Sequence, residues 1–501
     1  MTEAQSPRPT TDEILAECPR FRVLVVGRSG VGKSSLINYA FGINLATVAH
    51  GKRGTCNIED EIISPHNDHF VLHDSMGFEP GNTEEFRKAT EFFKSRGKKV
   101  PLKDRVHAIW LCIKVPHAGS RVFETGDEEF LKLAATAKGN LAFCNNRAAA
   151  YALNIAVPVV VVFTQFDVLY SGMEMALTEE EMKLPDQGQR LCSQRAEDEF
   201  KKICLPPLHN IDPTPRYART SGLGANNSPD RSALADLIRT TLHLLGETSG
   251  FVGKIFTSAQ NRETVWITSA IAQRGSAQAN IDGSIKIGMK KYWRGIASST
   301  RFPGFKLEKC LNTLHIDIVT AWNFSDANKL LRGTAFVEKM RTITQVVVPR
   351  EDELKDWFDS VKNVVGAAGT VSAATHPIMF PIVAGIGLSG IFINWLATVY
   401  KRTPETLRLF MGYIIDLTLV LDQLFVIVLA LGPPKLLTQT EIDEALNKYT
   451  SDAMNTVHAE IRDYCNEATF SQICRSNRAE ERIKELIRNH RVKWEETKPQ
   501  V

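Results

Sequence analysis

FRVLVVGRSGVGKS, residues 21–34, decides how this chain is read. Its first half is a short apolar run suited to a strand buried on both faces. Its second half, GRSGVGKS at 27–34, has the spacing G-x-x-x-x-G-K-S and leads directly into helical periodicity. A turn of that composition between strand and helix can wrap a phosphate, because its N–H groups are unobstructed at Gly30 and Gly32 and the helix N-terminus adds partial positive charge. The candidate phosphate-site residues are Gly27, Ser29, Gly30, Val31, Gly32, Lys33, Ser34 and Ser35. Lys33 suits the β and γ phosphates as a point charge, and the Ser34 hydroxyl suits magnesium.

Outward from this stretch, short apolar runs alternate with helical periodicity, the pattern of a mostly parallel sheet wrapped by helices. Strands are expected at FRVLVVG (21–27), NIEDEIIS (57–64), HFVLHD (69–74), RVHAIWLCI (105–113), VPVVVVFT (157–164) and RYART (216–220). The tight-turn residues Pro65, His66, Asn67 and Asp68 predict an antiparallel hairpin joining the second and third. Helices are expected over 34–41, 83–96, 124–137 and 228–245, and TEEE at 178–181 reads as a capping box inside an enlarged helical insertion, 171–210. The expected fold is α/β: a domain over 20–246 with a six-stranded, mostly parallel sheet, then an all-α helical domain over 247–501. Residues 1–19, polar and without an apolar core segment, are expected to be a flexible cytosolic lead-in.

At 501 residues, two domains are the default expectation. Hydrophobic residues at 43% and charged residues at 23% are globular proportions, and a net charge of +3 gives no sign of a nucleic-acid partner. Nine cysteines without metal-ligand spacing suit free thiols in a reducing, cytoplasmic compartment, and a zinc site is not expected. His107 and His117 stand apart from any serine, cysteine or carboxylate at suggestive spacing and read as structural.

Downstream, HDSMG at 73–77 ends the third strand with Asp74 and reaches Gly77 three residues later. Asp74 suits a water on the magnesium and the Gly77 N–H suits the γ phosphate, a spacing that senses whether the third phosphate is present. Thr55, in GKRGT between the first helix and second strand, suits closure over the metal and γ phosphate. Taken in order, these motifs favour a nucleotide switch over a generic phosphate-loop enzyme.

The motif order over residues 20–246 resembles a GTP-binding domain of the translation-factor-related class, which includes Ras-like, Era-like and immunity-associated GTPases. The resemblance implies GTP or GDP and Mg2+ as cofactors. It places the base-reading element at Thr164, Gln165, Phe166 and Asp167, where the family has Asn-Lys-x-Asp. Asp167 is kept, and its carboxylate can accept from both the N1–H and the exocyclic amine of guanine. Thr164 lacks the asparagine's amide, and Gln165 offers a stem for stacking without the lysine's charge. ARTSGLG at 218–224 resembles the family's Ser-Ala-Lys loop, with the backbone of Ser221 and Gly222 available to the guanine oxygen. Where Ras-like enzymes carry a water-orienting glutamine this chain has Phe78, which implies catalytic help from another loop, a bound cation or a partner chain. Lys52 and Arg53 are the candidates within the chain, beside the reading that they are solvated loop charges, and a homodimer through the GTP-binding domain is a candidate partner arrangement. The altered Asn-Lys positions leave an ATP-driven enzyme as a third reading.

Beyond residue 247 apolar residues recur at helical spacing. Residues 363–400 contain no Asp, Glu, Lys or Arg, and 409–434 are nearly as apolar, an expected apolar hairpin over 363–434. Three readings fit it: a soluble helical core, membrane insertion, or conditional membrane docking. Asp416 and Asp422 count against lipid unless paired. Ile442, Leu446, Tyr449 and Ala453 share one helix side, as do Ile483, Leu486, Ile487 and Trp494. GSIKIGMKKYW (283–293) and YKRTPETLRLFMGYIIDLTLVL (400–421) resemble fungal proteins with a G domain before an apolar helical domain, and more loosely bacterial GTPases of that arrangement. Two functions follow: a GTP-hydrolysing switch controlling the helical half, with a protein effector as an expected partner, or a GTP/GDP-binding interaction or membrane-associated module with negligible turnover.

Overall fold

The computed structural model describes residues 8–41, 57–64, 67–77, 83–96, 100–116, 120–137, 157–178, 181, 185–221, 231–246, 259–272, 276–288, 307–347, 390–430, 436–467 and 476–492. The chain divides into two compact units, Ile14–Ala279 and Met1–Glu13 with Asn280–Val501.

The first unit is built on six strands: β1 (Phe21–Gly27), β2 (Ile62–Ser64), β3 (Asn67–Asp74), β4 (Ala108–Lys114), β5 (Val159–Thr164) and β6 (Tyr217–Arg219). Their order is β2-β3-β1-β4-β5-β6, parallel except for the β2–β3 hairpin. Every residue of β1 and β5 is buried, as continuous valine-rich runs between two helical layers require. The helices along the chain to residue 288 are α1 (Thr10–Glu17), α2 (Lys33–Phe41), α3 (Thr83–Ser95), α4 (Thr125–Ala137), α5 (Phe166–Met175), α6 (Pro185–Ile203), α7 (Leu205–Ile211), α8 (Arg231–Gly246), α9 (Ala259–Ala272) and α10 (Ala277–Gly288), the unit boundaries falling within α1 and α10. On one side of the sheet Phe163 meets Phe200 of α6 edge-on, and in β4 the Trp110 indole N–H donates to the Thr241 hydroxyl of α8 at 3.2 Å. The α/β class and the six-stranded sheet are as expected.

Local chemistry moved some boundaries. β2 is shorter than 57–64 because Asn57 starts a turn, its side chain accepting from the Glu59 N–H at 3.2 Å and its carbonyl from Asp60 at 3.0 Å. The box at 178–181 forms, with the Thr178 N–H donating to the Glu181 carboxylate at 3.0 Å and the Glu181 N–H to the Thr178 hydroxyl at 3.4 Å.

Two expectations are corrected at the ends of this unit. The expected flexible lead-in contains α1, in which Ile14 is buried, and the buried Cys18 just past it donates its N–H to the Ile14 carbonyl at 2.9 Å. The unit also continues past 246 through α9, which packs on β3, β1 and α8. Val265, Trp266 and Ile267 of α9 are buried, its Thr268 hydroxyl donates to the Cys18 carbonyl at 3.0 Å, and the Asn67 amide donates to the Ala272 carbonyl at 2.7 Å.

The second unit is helical: α11 (Leu307–Trp322), α12 (Thr334–Gln345), α13 (Gly390–Ala430), α14 (Gln439–Asp452), α15 (Met454–Glu467) and α16 (Ser476–His490). α13 is its axis and packs against the other five. Because α13 is one unbroken helix of 41 residues, no hairpin turn separates the segments ending at 400 and starting at 409; residues 363–389 and 431–434 lie outside the described residues. Arg408–Val428 has the length and composition to cross a bilayer, with mean hydropathy 1.8, and 83% of that stretch is buried within the protein. The amphipathic faces point inward at Ile442, Leu446, Tyr449, Ile483, Leu486 and Ile487; Ala453 is half-buried and Trp494 lies outside the described residues.

Asp416, fully buried near the middle of α13, organises four helices. It accepts hydrogen bonds from the Thr344 hydroxyl of α12 at 2.9 Å, from the Tyr449 hydroxyl of α14, and from His458 Nε2 of α15 at 3.0 Å. Asp422 accepts the Val492 N–H at 3.1 Å. Both carboxylates thus have protein partners, which burial demands.

Candidate functional site

β1 lies between β3 and β4, so the chain leaves it for both sides of the sheet and a crevice opens beyond the carboxyl ends of the strands. Four of the expected segments end there: the loop after β1, Asp74 closing β3, Thr164 closing β5, and Ser221 just beyond β6. Parallel topology explains why residues scattered over 200 positions share one rim.

The loop after β1 turns sharply. Gly30 and Gly32 have φ of +74° and +94°, a left-handed backbone that residues with a Cβ rarely adopt. The Lys33 ammonium is buried and donates back to the carbonyls of Gly27 at 3.0 Å and Arg28 at 2.9 Å, closing the loop into a ring of main-chain N–H groups. At Gly77 the constraint is proximity: a Cβ would lie 2.3 Å from the Ser29 nitrogen, so the Asp-x-x-Gly segment touches the phosphate loop backbone to backbone.

Ser34, in the first turn of α2, donates its hydroxyl to Asp74 Oδ2 at 3.4 Å. The other oxygen, Asp74 Oδ1, is buried without a partner, and burial raises the carboxyl to about 6 against the pull of Lys33 and Ser34. A buried carboxylate oxygen beside a hydroxyl at the head of a helix is a donor set that fits a hard divalent cation.

At β5 the side chains turn toward the loop. The buried Thr164 hydroxyl donates to the Val31 carbonyl at 2.5 Å, and the Gln165 amide, on a backbone with φ of 59°, donates to the Gly30 carbonyl at 3.2 Å. Asp167 follows in the first turn of α5, half-buried. The Phe166 N–H donates to the Thr220 carbonyl at 3.4 Å, and the Arg219 guanidinium lies 4.7 Å from the centre of the Phe166 ring, so the segment leading to Ser221 runs beside the TQFD turn. Lys52, Arg53, Thr55, Phe78, His117 and Gly222 lie outside the described residues.

His107 is buried and stays neutral, its pKa lowered to about 4 by burial; Nδ1 accepts the Arg22 N–H at 2.9 Å and Nε2 faces the Leu102 carbonyl at 2.9 Å. These contacts give it a structural role. The sequence reading missed Arg28 and Asp127: Arg28 sits at a variable position of the loop motif, and Asp127 resembles any acidic residue in a first helical turn.

Residues 22–146 match the family model described as 50S ribosome-binding GTPase, and residues 330–498 match a domain of unknown function, DUF8505. No curated protein matches the chain. The α/β unit is therefore a P-loop GTPase G domain. The chain is a GTP-binding protein, with a helical unit as its second part.

Proposed function

We propose that the chain is a GTP-hydrolysing switch of the translation-factor-related class whose nucleotide state controls its helical unit. The observation that carries this reading is the approach of Ser34 to Asp74, which sets an Asp-x-x-Gly segment against the head of the phosphate loop. Mg2+ at that point would be held by Ser34 and Thr55, with Asp74 acting through a water, and would supply charge neutralisation for the β and γ phosphates. Lys33 moves from its two carbonyls onto those phosphates, and the Gly77 N–H bonds the γ phosphate. Loss of that phosphate frees the segment beyond Gly77, which is how such a switch changes state.

Asp167 reads guanine through its N1–H and amine, and the backbone of Ser221 and Gly222 meets the guanine oxygen. Thr164 and Gln165 are assigned to bracing the loop rather than reading the base, since their polar groups already bond Val31 and Gly30. Burial of Arg408–Val428 and the partners of Asp416 support a protein core in place of a bilayer span.

The sequence observation favouring the second reading, a GTP/GDP-holding module with negligible turnover, is Phe78, which cannot orient water. Phosphate release measured across protein concentration separates the two. The switch reading expects release that rises more than proportionally with concentration, as pairing of G domains supplies what Phe78 lacks. Absence of release at every concentration would leave the binding module. In the same assay under single-turnover conditions, an unchanged rate for Arg53→Ala would remove Arg53 from the mechanism.

A further inference from the structure

Arg28 points away from the ring that Lys33 closes and toward the head of α4. Its Nε lies 3.2 Å from Asp127 Oδ2 and its Nη1 3.6 Å from Glu124 Oε1, while Nη2 donates to the Val122 carbonyl at 3.3 Å. Asp127 also takes the Glu124 N–H at 3.1 Å, one half of a capping box at the third residue of α4. Acids at that helix position are ordinarily solvated, yet the Asp127 side chain is fully buried. A carboxylate with no solvent exposure needs a cation, and the cation supplied is the second residue of the phosphate loop. Main chain and side chain of Arg28 are thereby held from opposite directions, by Lys33 on its carbonyl and by Asp127 on its guanidinium.

We infer that the Arg28–Asp127 pair is a positioning device for nucleotide binding: it anchors the phosphate loop to α4 and holds its N–H groups in the arrangement that receives phosphate. The inference rests on the nucleotide-binding reading of this site. Neither residue touches the nucleotide. Breaking the pair loosens the loop for every nucleotide alike, without changing which base is preferred.

The test is titration of the full chain with fluorescent GTP, GDP and ATP, for wild type, Arg28→Gln, Arg28→Lys, Asp127→Asn and the Arg28→Gln/Asp127→Asn double variant, with thermal melting alongside. Either neutralising variant is expected to raise Kd for GTP and GDP together by about tenfold, less than the full cost of losing one partner of a buried pair because the Arg28 side chain is 22% exposed and acts on the nucleotide only through the loop. Arg28→Lys restores part of the affinity, and the double variant is no weaker than the worse single, as coupled partners require. Lower melting with unchanged Kd would overturn the inference by making the pair a purely structural contact. Slower hydrolysis by Arg28→Gln at unchanged GDP affinity would overturn it by placing the guanidinium on the γ phosphate. A wild type preferring ATP would sink the guanine reading while the ratios between variants still judge the pair, and a wild type binding none of the three would overturn both.

Discussion

Lys33→Ala is expected to weaken GTP and GDP by roughly 30- to 4000-fold while leaving the chain folded. Lys33 is 8% exposed and its ammonium donates to the Gly27 and Arg28 carbonyls, so it is already largely desolvated and aimed into the loop. Removing one partner of a buried, hydrogen-bonded charge pair costs about 2–5 kcal/mol, and every 1.4 kcal/mol is about tenfold in Kd. The fold is less sensitive, because only two main-chain carbonyls lose a donor, one of them in a part-buried contact. Nucleotide titration with a parallel melting curve checks both halves, and nucleotide affinity within about threefold of wild type would remove Lys33 from the phosphate site.

Asp416→Ala carries the largest expected loss of stability. The substitution strips the acceptor from Thr344, Tyr449 and His458 at once, leaving three polar groups buried between α12, α13, α14 and α15. Each orphaned group costs about 1–3 kcal/mol, so the three together are expected to cost at least about 3 kcal/mol. Chemical denaturation of the full chain followed by tryptophan fluorescence reads this, since Trp322 belongs to the same unit. A midpoint shift worth under about 1 kcal/mol would show that the network contributes little. Asp416→Asn keeps two acceptor or donor positions and is expected to lose less.

The two carboxylates of α13 also show where reading a sequence stops. Asp416 and Asp422 stand out as polar residues in an apolar run, and their presence argues for partners. Their partners lie 33 to 72 residues away in sequence, and no local pattern names Tyr449, His458 or Thr344. The G domain was more legible because its signals are local: a buried strand, a glycine turn and a helix start are adjacent in FRVLVVGRSGVGKS. Strand ends were less so, since Asn57 diverts its own backbone into a turn and shortens β2. Helix α9 escaped assignment to the G domain because its anchors, Cys18 and Asn67, lie about 200 to 250 residues earlier. Asp127 was visible as a helix-start acid, but only the fold reveals that its burial is matched by Arg28.

Of the candidate site residues, Lys33, Ser34, Asp74, Gly77, Thr164 and Gln165 meet around the loop after β1, while Arg53, Thr55 and Gly222 lie outside the described residues. Thr164 and Gln165 read as weakened base contacts when compared with Asn-Lys, yet their polar groups meet the loop carbonyls of Val31 and Gly30. Under the proposed function, base choice falls on Asp167, the one residue of TQFD with a carboxylate for the guanine edge. Titration of the full chain with GTP, ATP and xanthosine triphosphate, wild type beside Asp167→Asn, tests this most directly. Wild type is expected to prefer GTP, and the variant to lose about 100-fold or more for GTP, because two charge-assisted hydrogen bonds are lost and the amide N–H faces the guanine amine, while gaining xanthosine triphosphate, whose C2 carbonyl accepts from that amide. Equal binding of all three nucleotides by both proteins would contradict it.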